Sequence, residues 1–130
     1  MGAETRHAQF VVESTLSDLR KFPDDVKRKI GFDLRVVQDG DMPEHATQMR
    51  GFDPAVLELR ATGEDATYRC CVTVKLKYCV YILHVFKKKS TKNDETPEKE
   101  LRTIRQRLLR AGELDVEYGR AAREQGRRGA

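Results

Sequence analysis

The sequence predicts an α+β fold: a small antiparallel sheet with helices set before and after it. Three observations predict this. Residues 78–86, YCVYILHVF, are almost wholly apolar and rich in β-branched and aromatic side chains, the composition of a strand buried on both faces. Residues 56–61, VLELRA, alternate apolar and polar, and the turn signal TGED at 62–65 joins them to a second run ending near Lys77, as in a hairpin. Val26, Ile30, Leu34 and Val37 before the strands, and Leu101, Ile104 and Leu108 after them, recur at helical spacing. With 130 residues the expectation is one domain with a real core.

Taken in order, Phe10 to Glu13 reads as a first strand. Ser14 offers a helix N-cap, and Leu16 and Leu19 mark a short helix that stops near Phe22-Pro23. Pro23 fits the start of a second helix, with Asp24 and Asp25 placed where negative charge suits the dipole. Residues 38–50 are polar, contain Gly40 and Pro43, and read as an exposed loop. In the strand from Tyr68 to Lys77, Cys70, Val72, Val74 and Leu76 share one face, and Arg69, Thr73 and Lys75 the other. The buried strand follows and runs into Lys87, Lys88 and Lys89. Thr96-Pro97 then reads as N-cap and first position of a third helix, which Gly112 ends. Residues 1–112 are therefore expected to form the domain, and 113–130 a flexible tail poor in apolar residues.

Charge is unevenly spread. Residues 1–49 carry seven Lys/Arg against nine Asp/Glu, whereas 50–92 carry nine against four. The positive surplus of the chain lies in the predicted sheet and favours an anionic partner, nucleic acid first; the plain alternative is that lysines keep a strand end soluble. No apolar run is long enough to span a bilayer and the N-terminus lacks a secretory pattern, so no membrane partner and a cytoplasmic location are expected. Cys70, Cys71 and Cys79 are odd in number and lack metal-ligand spacing; they read as buried, reduced thiols, and no metal or cofactor is expected.

The chain contains no Gly-rich phosphate loop, no GxSxG, no HExxH and no carboxylate pair at a telling spacing. What remains is cationic: Arg60, Arg69, His84, Lys88 and Lys89, on or beside neighbouring strands. One reaction needs little more. A ribose 2′-hydroxyl can attack the adjacent phosphorus of its own RNA. The transition state gathers negative charge on the phosphoryl oxygens, which fixed cations stabilise, and a lysine among cations can lose its proton and act as base. Each residue also has a bland reading. Arg60 can pair with Glu58 or Glu64, Arg69 can be a solvated strand residue, the lysines can be gatekeepers after an apolar strand, and His84 can be a satisfied core histidine.

The runs STLSDLRKFPDDVKRKIGFDLRVVQDG, LELR, TYR, VYILHVFKKKS and TPEKELRTIRQRL resemble the phage-derived branch of the RelE/HigB toxin superfamily, over residues 10–111. LHxFxKKS, a downstream TP and an IxxRL helix together carry the resemblance. It implies a RelE-like fold of about four antiparallel strands, with two N-terminal helices and one C-terminal helix. It implies a type II toxin–antitoxin toxin, an endoribonuclease that cleaves mRNA on the ribosome and is neutralised by a cognate antitoxin, commonly a helix-turn-helix protein. The family's basic positions fall on Arg60 in LELR, Arg69 in TYR, and Lys88 and Lys89 in KKS. His84 belongs to the pattern. Either Lys88 or Lys89 is then the base, Arg60 and Arg69 lie on the scissile phosphate, and Lys75, Lys87 and Lys92 contact RNA. The rival readings are a non-catalytic member that binds RNA, the ribosome or an antitoxin, and a phage regulatory protein. The chain departs from the pattern at NDETP, 93–97, and beyond Gly112, so nothing transfers to the tail.

Overall fold

The structure, a computed structural model, describes residues 5–89 and 95–129. Eight elements follow in order: β1 (His7–Phe10), α1 (Glu13–Arg20), α2 (Asp24–Gln38), β2 (Ala46–Gln48), β3 (Val56–Thr62), β4 (Ala66–Thr73), β5 (Cys79–Lys89) and α3 (Glu98–Gly129). The strands form one sheet in the order β1-β5-β4-β3-β2. β2–β3, β3–β4 and β4–β5 are antiparallel, and β1 runs parallel to β5. The sheet is thus mixed and five-stranded rather than antiparallel with about four strands.

Its two faces carry separate cores. On one face α2 lays Val26, Ile30, Leu34 and Val37 against Leu57, Leu59, Cys70, Val72, Val80 and Ile82. On the other, Ile104, Leu108 and Ala111 of α3 cover Val56, Cys71, Cys79, Tyr81, Leu83 and Phe86. β5 serves both cores, and every residue from Cys79 to Leu83 is at most 1% exposed. That is why its sequence lacks alternation.

Several boundaries differ from expectation. α1 begins at Glu13, so Ser14, read as its N-cap, lies inside it, and β4 stops at Thr73 rather than running to Lys77. β1 lies at His7–Phe10, three residues earlier than the apolar run suggests, because pairing with Cys79–Ile82 fixes it. The loop expected over 38–50 contains β2, a three-residue edge strand held by pairing with Leu57–Leu59. α3 does not end at Gly112. A mid-helix glycine costs about 1 kcal/mol, and tertiary contacts beyond it outweigh that. The Asp115 carboxylate accepts hydrogen bonds from the Lys77 and Tyr78 backbone N–H groups (3.0 and 2.9 Å) and from the Tyr81 hydroxyl (2.7 Å). One turn on, Gly119 lies so close to Tyr78 that a Cβ there would be 2.7 Å from the ring. These contacts tie the second half of α3 to the connection between β4 and β5. Residues 120–128 lie beyond them and are all exposed.

Candidate active site

The antiparallel register sets the site. Thr62, Thr67 and Lys88 lie opposite one another across β3, β4 and β5; Arg60, Arg69 and Phe86 form the next row, and Glu58, Cys71 and His84 the next. Successive rows are two residues apart on each strand, so all nine positions share a face. It is the face that α3 covers, as Cys71 and Phe86 in that core show. A bulge helps: Cys71 pairs with His84 and Val72 with Ile82, so β5 carries Leu83 as an extra residue. Leu83 and His84 thereby both turn towards α3, which strict alternation forbids.

Arg60 and Arg69 are direct cross-strand neighbours, and their like charges repel. Glu58 resolves this. Its Oε1 accepts from Arg60 Nε at 2.7 Å and from Arg69 Nη1 at 3.1 Å. The Arg69 and Glu58 side chains are 2% and 3% exposed, and Arg60 is 33% exposed. Arg69 and Glu58 form a buried floor and Arg60 rises from it to the surface. Glu58 Oε2 is buried without a hydrogen-bond partner among the described residues. Lys88 stands one row nearer the sheet's end, half-buried, and its Nζ donates to the Glu95 carbonyl.

His84 is held at both ring nitrogens. Arg107 Nη1 lies 3.1 Å from Nδ1, and Glu100 Oε2 lies 3.0 Å from Nε2. Arg107 Nη1 has two hydrogens for three acceptors, and where one of them goes to Nδ1 the ring proton sits on Nε2, facing Glu100. Arg107 Nη1 also donates to the Leu83 carbonyl (3.0 Å) and the Thr15 hydroxyl (2.9 Å), joining α1, β5 and α3. Burial lowers the Arg107 pKa, against the opposing pull of Asp18 and Glu100. Glu100, Arg107 and Thr15 are residues that sequence reasoning missed, while Glu58 was read only as a surface partner of Arg60. The IxxRL pattern contains Arg107, but nothing local distinguishes it from the other arginines of that helix.

Lys87 and Lys89 flank Lys88 and are exposed; opposite Tyr68 and Ala66, they share the α2 side of the sheet. Lys75 is exposed just past Thr73, at the other end of β4 from Thr67, which pairs with Lys88. Lys92 lies outside the described residues. An open groove of about 1110 Å3 runs along the β3 edge beyond β2; Arg28, Lys29, His45, Arg60, Thr62 and Thr67 are among its walls. Of the expected catalytic set, only Arg60 lines it among the described residues. Burial raises the Cys70 thiol to about 12 and Cys71 well above its usual value, and both are free, so neither is a nucleophile near neutral pH. No helix among the described residues is long and apolar enough to cross a membrane.

The protein is an α+β domain whose mixed sheet carries a cationic cross-strand array beneath α3. The chain belongs to the phage-derived Gp49-like protein family (DUF891), whose model matches residues 17–109. That span runs from α1 into α3 and takes in every row of the array. Members of this family are often toxins of toxin–antitoxin systems. No curated protein and no solved structure matches the chain.

Proposed function

We propose that this protein is the toxin of a type II toxin–antitoxin system and cleaves mRNA on the ribosome, in the manner of the RelE/HigB superfamily. Family membership supports the toxin half of this reading. The observation that carries the cleavage half is the register that gathers Arg60, Arg69, His84 and Lys88 on one face at the sheet's end. A base takes the 2′-hydroxyl proton, the 2′-oxygen attacks the adjacent phosphorus, the departing 5′-oxygen takes a proton from an acid or water, and a 2′,3′-cyclic phosphate remains. Arg60 meets the phosphoryl oxygens where charge gathers. Lys88, with cations in the neighbouring row, is the better placed of the two candidate bases, since Lys89 points to the opposite face. Arg69 acts as a positioning residue: through Glu58 it fixes the Arg60 guanidinium. Glu100 and Arg107 fix the His84 ring in one tautomer beside this array. Lys87, Lys89 and Lys92 serve RNA on the approach, and Lys75 contacts it at the far end of the hairpin. A cognate antitoxin of the helix-turn-helix type neutralises the toxin.

A second reading has its own support. The burial of Arg69 against Glu58 suits a structural ion pair, and hence a member that binds RNA, the ribosome or an antitoxin without cutting. Induction in growing cells separates the two. On the toxin reading the wild type stops growth, co-expression of the neighbouring antitoxin gene relieves the arrest, and Lys88→Ala and Arg60→Ala each abolish it. Arrest that survives in both variants leaves the non-cleaving reading standing.

A further inference from the structure

We propose that the exposed end of α3 is a rail that docks on duplex RNA through Arg120, Arg123 and Arg127. This goes beyond the cleavage reading and does not depend on it. Nothing in the array of β3, β4 and β5 lies on this part of the helix.

The three arginines stand at i, i+3 and i+7, so they share one face over about 10 Å. All are exposed, and among the described residues none has an ion pair or side-chain hydrogen bond. Elsewhere on the helix Arg110 meets Glu113 at 2.9 Å and Glu117 at 3.5 Å, and Arg128 meets Glu124 at 3.4 Å, while exposed Lys99 and Arg102 are, among the described residues, as unpaired as these three but do not form a run of arginines on one face. The helix dipole favours cations only in the last turn, which explains Arg127 but not Arg120 or Arg123. Three like charges on one face repel one another, and the carboxylate nearest them, Glu124, pairs with Arg128 instead. A polyanion supplies the missing partner.

The chemistry of the segment selects among polyanions. Residues 120–128, RAAREQGRR, hold no apolar side chain larger than alanine. A helix that lies on a membrane needs a bulky apolar face, so lipid is disfavoured. Single-stranded RNA is gripped by aromatic side chains that stack on bases. The one aromatic of this half, Tyr118, instead packs against Tyr78 with ring centroids 5.5 Å apart. Duplex RNA is held through its shape and its phosphates, which cations on a straight rod can meet. The rod is fixed to the body by the Asp115 and Gly119 contacts, so little orientation is lost on docking.

The test is binding of the full chain to a 20-base-pair RNA duplex, followed by fluorescence anisotropy across a salt series. The triple variant Arg120→Gln, Arg123→Gln, Arg127→Gln keeps good helix formers and should keep its circular dichroism. Its affinity should fall roughly ten-fold or more near 0.1 M salt, and the salt slope by about two to three. A charge-matched variant at exposed Arg20, Lys21 and Arg35 should bind within two-fold of wild type. Equal losses in both variants, or no loss in the first, would overturn the proposal. So would a loss seen only on vesicles containing phosphatidylglycerol.

Discussion

Glu58 governs what the arginines around it can do. Its Oε1 alone meets both Arg60 and Arg69. Glu58→Gln leaves Arg69 buried without its carboxylate, and removing one partner of a buried pair costs about 3–5 kcal/mol. Urea unfolding should show that loss, while Arg60→Ala, at a third-exposed side chain, should cost under about 1 kcal/mol. Stability equal to wild type in Glu58→Gln would mean that the floor of the site is not an ion pair. The alternation of VLELR places Glu58 and Arg60 on one face, and that much was legible from local sequence. The burial of Glu58 was not, since its partner Arg69 is eleven residues away across a hairpin and α3 closes over both. The same holds for His84, whose two partners come from a helix 16 and 23 residues on.

The starts of α2 and α3 were easier to read than the end of α3. Asp24 and Asp25 in the first turn of α2, and Thr96-Pro97 before α3, act through the helix dipole and backbone geometry, which are local. The end of α3 depends on Asp115 reaching the β4–β5 connection, a long-range bond that Gly112 masks. Burial pulls the Asp115 pKa up, but the Tyr81 hydroxyl and the backbone N–H groups of Tyr78, Lys77 and Cys79 outweigh it, and the net shift is downward. A carboxyl depressed in the native state adds stability above its unfolded pKa near 3.8, lost as pH falls through the lower native value. Asp115→Asn should therefore lose about 1–3 kcal/mol at neutral pH. The gap from wild type should narrow below about pH 4. A gap that persists unchanged into acid would show that the carboxylate charge is not what holds the helix. The bulge at Leu83 is likewise absent from local sequence, because an apolar run has no alternation to interrupt.

At the scale of the molecule, β5 connects fold and function. Its apolar half joins two cores, and its last residues deliver Lys88 to the face already holding Arg60, Arg69 and His84. The α+β class and the clustering of cations at the sheet's margin follow from composition and pattern. Which lysine joins the cluster follows only from register, a single-residue matter that flips a side chain between faces. Lys75, basic and on a predicted strand, stands apart because β4 stops at Thr73. Its replacement by alanine should weaken growth arrest far less than Lys88→Ala does, since it would meet RNA away from the reacting phosphate. The central claim is that cations fixed on one face of this sheet cut transcripts during translation. Mapping 5′ ends of cellular mRNA after brief induction tests it most directly. Wild type should yield new ends clustered inside translated frames, and Lys88→Ala, at equal protein level, none. Growth arrest by wild type with no new ends, or the same ends from Lys88→Ala, would contradict it.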